Sequence, residues 1–171
     1  LIPIIFISIL FIVHFNTTKI KPSFKYLKMF SDKNDAYDIQ IWLRENTSKD
    51  SLIITPPYID EHSFASFRVH SERSILALNS ELARVAISQG LEETLRTRLD
   101  DLSKDGFSPA LLTGDYGKMY HAIYEGYNNL NEDDIVRLSK KYDANYFIRE
   151  KPSELNLTVV YENDEYILYE I

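Results

Sequence analysis

The chain has 171 residues, of which 44% are hydrophobic, so it is long enough for one domain with a substantial core and too short for two ordinary ones. It contains no cysteine, which excludes a disulfide framework, a thiolate metal site and a cysteine nucleophile. The net charge is −7, and residues 29–171, with 15 basic against 26 acidic residues, carry −11. Because phosphate contacts need clustered lysine and arginine, we predict that so acidic a body does not bind nucleic acid.

Residues 1–15 form an uncharged apolar segment interrupted only by Pro3, Ser8 and His14. As a helix it would span about 22 Å, less than the roughly 30 Å hydrocarbon core of a membrane. We therefore predict the end of a transmembrane helix, completed by residues that precede Leu1. A signal or pro-segment and a buried core strand or helix are the alternatives.

The next segment, residues 16–34, is basic and contains interleaved aromatic residues. We predict a juxtamembrane linker whose lysines meet anionic lipid headgroups. By the positive-inside tendency, these lysines favour a cytoplasmic position for the domain that follows, which comprises residues 35–171.

That domain begins with a helix-to-strand unit of an α/β sheet. Asn34 or Asp35 can cap a helix over residues 36–46. Its inward face is predicted to contain Ala36, Ile39, Gln40 and Leu43, with Trp42 beside them. The following LIIT, residues 52–55, is apolar at three successive positions, as expected of a strand covered on both faces, and two prolines end it.

A polar loop from Tyr58 to Glu72 is predicted at the carboxyl end of this strand, where open α/β sheets place ligands. We predict ligand binding by Tyr58, His62, Arg68 and Arg73, with the two arginines as a clamp for an anion or a carboxylate. The alternative is that both arginines pair with acids of this acidic chain.

A metal site in the same loop would use His62 and His70 with Asp60 or Glu61. The eight-residue separation of the histidines matches no helical ligand spacing. We therefore predict ordinary loop polarity, with no metal and no cofactor.

After this loop, SILAL (residues 74–78) reads as a second buried strand, and a helical stretch is predicted from Asn79 or Ser80 to about Lys104, with a break at Gly90. Its leucines recur at spacings of four, four and three residues, which predicts core packing. They are Leu91, Leu95, Leu99 and Leu102.

Residues 107–130 contain tyrosines at helical spacing: Tyr116, Tyr120, Tyr124 and Tyr127, with His121 beside them. Aromatic rings can stack on sugar faces, so one interpretation is a carbohydrate-facing helix. The other, which we favour, is a half-buried helix whose rings pack on the sheet.

The last third of the chain predicts a helix, a strand and a hairpin. Asn131 caps a helix over residues 132–143, in which Ile135, Leu138 and Tyr142 face inward. ANYFIRE, residues 144–150, reads as a strand, and residues 157–171 as a hairpin that turns at Asn163-Asp164. The predicted fold class is α/β, three-layer and Rossmann-like, with a mostly parallel sheet and a C-terminal β-hairpin.

Four stretches of this domain, taken in order, resemble one family. They are DIQIWLRENTSKDSLIITPP, FRVHSERSILAL, DDIVRLSKKYDANYFIRE and VVYENDEYILYEI. Their order and spacing resemble the C-terminal soluble domain of polytopic membrane proteins related to the GT-C glycosyltransferases and oligosaccharyltransferases. The resemblance covers about residues 35–171.

The resemblance implies an extracytoplasmic accessory domain of a multi-pass membrane protein, whose membrane-embedded region would carry any glycosyl transfer. Its implied partners are the lipid membrane, through the N-terminal helix, and a glycan or lipid-linked sugar. Of the acceptor motif of oligosaccharyltransferases, tryptophan-tryptophan-aspartate-tyrosine-glycine, the chain has only Asp115-Tyr116-Gly117. The resemblance therefore does not extend to acceptor-peptide binding, and it leaves open whether the whole protein is a transferase.

A second interpretation is a membrane-tethered ligand-binding or sensor domain that recognises a sugar or small anion. A stand-alone enzyme is not favoured, because the chain has no glycine-rich phosphate loop, no G-x-S-x-G elbow and no metal-ligand spacing. We assign no catalytic residue and expect the domain not to be catalytic by itself.

Overall fold

The computed structural model describes residues 35–59, 67–82 and 91–171, which belong to one compact unit. The α-helices are α1 (Asp35–Asn46), α2 (Phe67–Ser71), α3 (Leu91–Leu102), α4 (Phe107–Leu111), α5 (Tyr116–Asn128) and α6 (Glu132–Tyr142), with a 3-10 helix at Asn79–Glu81. The strands are β1 (Leu52–Ile54), β2 (Ser74–Ile75), β3 (Tyr146–Glu150), β4 (Thr158–Glu162) and β5 (Tyr166–Glu170).

The predicted membrane segment, residues 1–15, and the predicted linker, residues 16–34, lie outside the described residues. Within the ranges that are described, no helix combines the length and the apolar character needed to cross a membrane.

Five strands of the described chain form one mixed sheet in the order β2-β1-β3-β5-β4. Strand β1 is parallel to β2 and to β3, whereas β5 is antiparallel to β3 and to β4. The predicted α/β class and C-terminal hairpin are confirmed. The expectation of a mostly parallel sheet holds only for the first three strands, because the hairpin adds two antiparallel pairings.

The hairpin joins the sheet through its second strand. Residues 166–169 of β5 are buried, whereas β4 is largely exposed at the sheet edge, so the more apolar strand occupies the interior position. The turn lies where the sequence predicts it: Asn163 Oδ1 accepts hydrogen bonds from the backbone N–H groups of Glu165 and Tyr166. Asn163 Nδ2 also donates to the carbonyl of Asp35, which ties the turn to the start of α1.

Helices cover both faces of the sheet. Consecutive strand residues such as Ile53 and Ile54 belong to opposite core clusters, because side chains alternate across a strand. One cluster is completed by α1 and α2, and the other by α3, α4, α5 and α6. The described residues therefore form three layers, and the continuous apolar runs of the central strands are explained by burial on both sides.

Several local predictions are confirmed. In α1, Ile39, Gln40 and Leu43 are buried as expected. In α6, Asn131 forms a capping box with Asp134, and the capped helix buries Ile135 and Leu138.

Two other predictions need correction. Part of the predicted polar loop is the helix α2, because buried Phe67 anchors it and its carbonyl accepts a hydrogen bond from Ser71 Oγ. The predicted helical stretch from Asn79 begins as a 3-10 helix, and α3 begins at Leu91; residues 83–90 lie outside the described ranges. Within α3, Leu95, Leu99 and Leu102 are buried, but Leu91 is exposed.

Candidate functional site

The carboxyl ends of β1, β2 and β3 lie on one edge of the sheet, because these three strands are parallel. We call this the carboxyl edge, and the opposite end of the same strands the amino edge. Strand order reverses at β1, since β2 lies on one side of it and β3 on the other. Ligands of open α/β sheets bind at such a reversal, outside the carboxyl ends of the strands.

Tyr58 follows β1 and joins the carboxyl edge to α5. Its side chain is only 2% exposed, and its hydroxyl donates to Oε2 of Glu150, the last residue of β3, at 3.3 Å. The same hydroxyl accepts a hydrogen bond from Nδ2 of Asn128, the last residue of α5, at 3.0 Å. Burial, reinforced by the Glu150 charge, raises the pKa of Tyr58 well above its usual range, so the phenol stays protonated and donates to the carboxylate.

Helix α5 crosses the carboxyl edge from β2 to β3. Near its start, the Tyr116 hydroxyl accepts a hydrogen bond of 3.2 Å from Nδ2 of Asn79, which follows β2. Near its end, the Tyr127 hydroxyl donates to the carbonyl of Ile148 in β3 at 2.5 Å. Between these anchors the helix passes the carboxyl end of β1 at Tyr58.

The tyrosines of α5 divide between packing and exposure, as the favoured interpretation of a half-buried helix predicts. Tyr127 is fully buried and its ring stacks on Phe147 of β3, with ring centroids 5.3 Å apart. The ring centroid of Tyr124 lies 5.0 Å from that of Tyr58, yet its side chain is 43% exposed. Tyr116 is 60% exposed, and Tyr120 is partly buried between these two positions.

The end of α5 is held by Arg149 of β3, which sequence analysis did not single out. Its fully buried guanidinium donates to the carbonyls of Tyr127, Asn128 and Leu130 at 3.0, 2.7 and 2.6 Å. A positive charge at this position also meets the negative end of the helix dipole. The available signal was an arginine that directly follows the apolar residues of the strand YFIRE.

Close packing also fixes α5 near its end. A Cβ at Gly126 would lie 2.3 Å from the carbonyl oxygen of Ser103, just after α3. Only glycine therefore permits these two segments of the backbone to approach so closely. Asp115 caps the start of α5 by accepting a hydrogen bond from the N–H of Lys118. The exposed tyrosines are therefore presented by a helix that is anchored at its start and near its end.

Arg73 does not lie where the sequence analysis expected it. It precedes β2, at the amino edge, and its side chain is buried. The Nη2 atom donates to the carbonyls of Arg44 and Thr47, at the end of α1, and Nε donates to Thr47 Oγ1. Since Nη1 donates to two further carbonyls, all five N–H groups of Arg73 donate to oxygen atoms of the protein and stabilise the fold.

Arg68 pairs with an acidic residue, which is the alternative to the anion clamp that the sequence analysis gave. Its Nε and Nη2 both donate to Oε1 of Glu81, at 3.0 and 2.8 Å, while Oε2 of that carboxylate accepts from the N–H of Leu78. This ion pair joins α2 to the 3-10 helix. The predicted two-arginine clamp is thus not assembled, because Arg73 and Arg68 are committed to different parts of the fold.

His62, the fourth predicted ligand, lies outside the described residues, as do Asp60 and Glu61. Among the residues that are described, no group of three His, Asp or Glu side chains could hold a metal ion. Of the three predicted site residues that the structure describes, only Tyr58 lies at the strand reversal itself. Its polar partners, Asn128 and Glu150, were missed because they are distant in sequence, although Glu150 is the polar residue that ends an apolar strand.

Comparison of the chain with protein-family models, with curated proteins and with solved structures gives no match. The resemblance to the C-terminal domains of GT-C-related membrane proteins therefore stays a prediction from the sequence.

Proposed function

We propose that the protein is a membrane-attached domain that recognises a sugar at its carboxyl edge. In this proposal it is an extracytoplasmic accessory part of a multi-pass membrane protein related to the GT-C glycosyltransferases, and it does not catalyse a reaction by itself. The observation that carries the sugar proposal is the position of Tyr124 and Asn128, which α5 presents beside Tyr58 and Glu150 at the strand reversal.

The chemistry of these groups suits a sugar. A partly exposed tyrosine ring can stack on the apolar face of a sugar ring, and the amide and carboxylate groups beside it can bind hydroxyls. Asn128 uses Nδ2 to bind Tyr58 and the carbonyl of Tyr124, while its Oδ1 has no hydrogen-bond partner among the described residues. That oxygen is therefore available to a sugar hydroxyl.

The strand order supports the finer proposal of a Rossmann-like fold. The order β2-β1-β3 in parallel, with helices on both faces, is that of half a doubly wound sheet. In such sheets the strand reversal is the usual ligand position, and here it coincides with the tyrosines of α5. The C-terminal hairpin replaces further parallel strands on the β3 side.

Three arginines are already bonded to groups of the protein, which favours a sugar over a small anion as the ligand. Arg68 is paired with Glu81, Arg73 is enclosed at the amino edge, and Arg149 is engaged with carbonyls. The ionised group that contacts Tyr58 is Glu150, which would repel an anion.

Sugar binding is tested with the full chain in detergent micelles, titrated by calorimetry with glucose, mannose and N-acetylglucosamine, alone and as linear oligomers. Binding of at least one sugar is expected, and Tyr124→Ala is expected to weaken it about tenfold, the equivalent of about 1.4 kcal/mol. The matched control is Tyr37→Ala, which removes a tyrosine of similar exposure, 45%, from α1 on the other face of the sheet. Absence of binding to every sugar, or equal losses in both variants, would refute the proposed site.

The extracytoplasmic position is tested separately with Ser48→Cys. Ser48 is exposed, and because residues 1–171 contain no cysteine, the substitution introduces the one thiol of this stretch. In intact cells, an impermeant maleimide is expected to label the variant and not the natural chain. Labelling only after lysis would place the domain in the cytoplasm, as the lysines of residues 16–34 favour.

A further inference from the structure

The chain contains three sequons, the N-x-Ser/Thr sequences to which N-linked glycans are attached. They begin at Asn16, Asn46 and Asn156. The first lies outside the described residues, whereas the other two belong to the folded domain. In a folded chain, the asparagine amide and the hydroxyl two residues later must both reach the enzyme that attaches the glycan. The surroundings of the two described sequons therefore decide which of them is an acceptor.

The Asn46 sequon is bonded into the end of α1. Asn46 is the last residue of this helix, and its Nδ2, the atom that would be joined to a glycan, donates to the carbonyl of Trp42 at 2.9 Å. The hydroxyl of the middle residue, Thr47, donates to the carbonyl of Leu43 at 2.6 Å and accepts from Nε of Arg73 at 2.8 Å. Because Arg73 is buried, drawing this sequon into an enzyme would open a buried hydrogen-bond network.

The Asn156 sequon lies in a different setting. It begins in the connection between β3 and β4, which has no helix or strand of its own. Asn156 and Thr158 are both exposed. Among the residues that the structure describes, the Asn156 amide group and the Thr158 hydroxyl have no hydrogen-bond partner.

The contacts near Asn156 leave its acceptor groups accessible. The N–H of Leu155 donates to the Tyr169 hydroxyl at 3.1 Å. The N–H of Asn156 donates to Oε1 of Glu132 at 3.0 Å. Both contacts use backbone groups, so the side-chain amide stays open to an enzyme. Thr158 begins β4, the edge strand of the described sheet, so no further strand of that sheet covers the acceptor hydroxyl.

From this difference we infer that Asn156 is an acceptor for an N-linked glycan in the folded protein and that Asn46 is not. The inference goes beyond the proposed sugar recognition, and it needs from that proposal only the extracytoplasmic position, where such glycans are attached. The donor is an oligosaccharide joined to a lipid through a pyrophosphate. In the transfer, Nδ2 of Asn156 loses a proton and forms a bond to C1 of the first sugar. The bond from C1 to the pyrophosphate oxygen breaks, and the lipid pyrophosphate leaves with the electron pair.

The test adds a purified single-subunit oligosaccharyltransferase, one that requires only N-x-Ser/Thr, and its lipid-linked donor to the full chain in detergent. Mass spectrometry measures the rate of modification at each sequon, and each rate is divided by that of a short peptide with the same sequon. This division removes the preference of the enzyme for one sequence over the other. The normalised rate at Asn156 is expected to be at least about tenfold higher, because access to Asn46 first requires opening the bonds of Arg73.

Two kinds of variant show whether the fold causes this difference. Arg73→Ala releases the end of α1, so it is expected to raise modification of Asn46 and to leave that of Asn156 unchanged, at temperatures where the variant is folded. Should it not fold, Thr47→Ala makes the same test, because it removes the hydroxyl that binds Nε. At the other sequon, Thr158→Ala is expected to abolish modification, whereas Thr158→Ser, which keeps the hydroxyl, is expected to retain it.

The outcomes distinguish this inference from the proposed function. An Asn156 that stays unmodified in the folded chain, while its peptide is modified, refutes the inference. Equal normalised rates at the two sequons refute it as well. Because the enzyme is added to the purified chain, neither result depends on sugar binding or on the side of the membrane, which Tyr124→Ala and Ser48→Cys test separately.

Discussion

The two edges of the parallel strands each contain a buried arginine, but they differ in the groups that lie beside it. At the amino edge, Arg73 closes the end of α1, and all of its N–H groups are bonded to protein oxygens. At the carboxyl edge, Arg149 closes the end of α5 in a similar way, but exposed tyrosine rings and a partly engaged asparagine lie next to it. The comparison indicates that the buried arginine of the amino edge is fully bonded within the protein. The carboxyl edge, in contrast, retains groups that can bind a ligand.

Arg149→Ala is expected to have the largest effect, because it removes a buried charge and leaves the carbonyls at the end of α5 without donors. We expect a loss of about 3–5 kcal/mol in the free energy of unfolding, measured by urea denaturation. Sugar binding is also expected to be lost, since α5 carries the tyrosines. Arg149→Met, which restores much of the volume, is expected to be less destabilising, and a Met variant as stable as the natural chain would contradict the role of the hydrogen bonds.

Arg73→Ala provides the matching test at the amino edge. Removing its bonds to the end of α1 is expected to cost about 2–3 kcal/mol in the free energy of unfolding. At temperatures where the variant is folded, its sugar affinity is expected to equal that of the natural chain. A large loss of affinity in folded Arg73→Ala would mean that the amino edge takes part in binding and that the comparison between the edges is wrong.

Alkaline pH tests the buried tyrosines of the carboxyl edge. Burial raises the pKa values of Tyr58 and Tyr127 well above the usual value of about 10, and the same cause raises that of Tyr166. Above about pH 10 the unfolded chain releases these protons while the folded chain retains them, so stability falls as the pH rises. Each such tyrosine is expected to contribute a slope of up to about 1.4 kcal/mol per pH unit.

The slope is measured by urea denaturation between about pH 9 and pH 11. Tyr127→Phe is expected to reduce it by removing one buried titrating group, and Tyr37→Phe controls for the loss of a tyrosine elsewhere. An unchanged slope in Tyr127→Phe would show that this phenol ionises in the folded protein.

Tyr58→Phe is expected to have the smallest effect on stability and a distinct effect on binding. It keeps the ring contacts with Tyr120, Tyr124 and Tyr127, and it loses the hydrogen bonds to Glu150 and Asn128. The free energy of unfolding is expected to fall by about 1 kcal/mol. Sugar affinity is expected to fall more than stability alone explains, because Asn128 is no longer positioned, whereas unchanged affinity would remove Tyr58 from the site.

The local elements were largely predictable because their signals lie within a few residues. The cap at Asn131, the inward face of α1 and the turn at Asn163 each depend on neighbours in the chain, and each is found where the sequence indicated. The buried character of β1 was also predictable, since a continuous apolar run in an α/β domain is typical of a strand that is covered on both faces.

The site was less predictable because its members are far apart in the chain. Tyr58 was chosen correctly as a residue of the carboxyl edge, but its partners Asn128 and Glu150 are separated from it by 70 and 92 positions. Arg73 was placed at the wrong edge because the sequence analysis treated the segment after β1 as one loop. The helix α2 turns the chain back within that segment, so Arg73 lies at the start of β2.

The sequence by itself determined the α/β class, the acidic character, the hairpin and the spacing of the tyrosines along α5, because composition, periodicity and turn residues act over short distances. Only the tertiary structure decided which arginine closes which edge and which tyrosines are exposed. These properties depend on strand order and on the close crossing of α5 over Ser103, where residues distant in the chain meet. Tyrosines at spacings of four, four and three residues along α5 therefore supply both a core ring at Tyr127 and an exposed one at Tyr124.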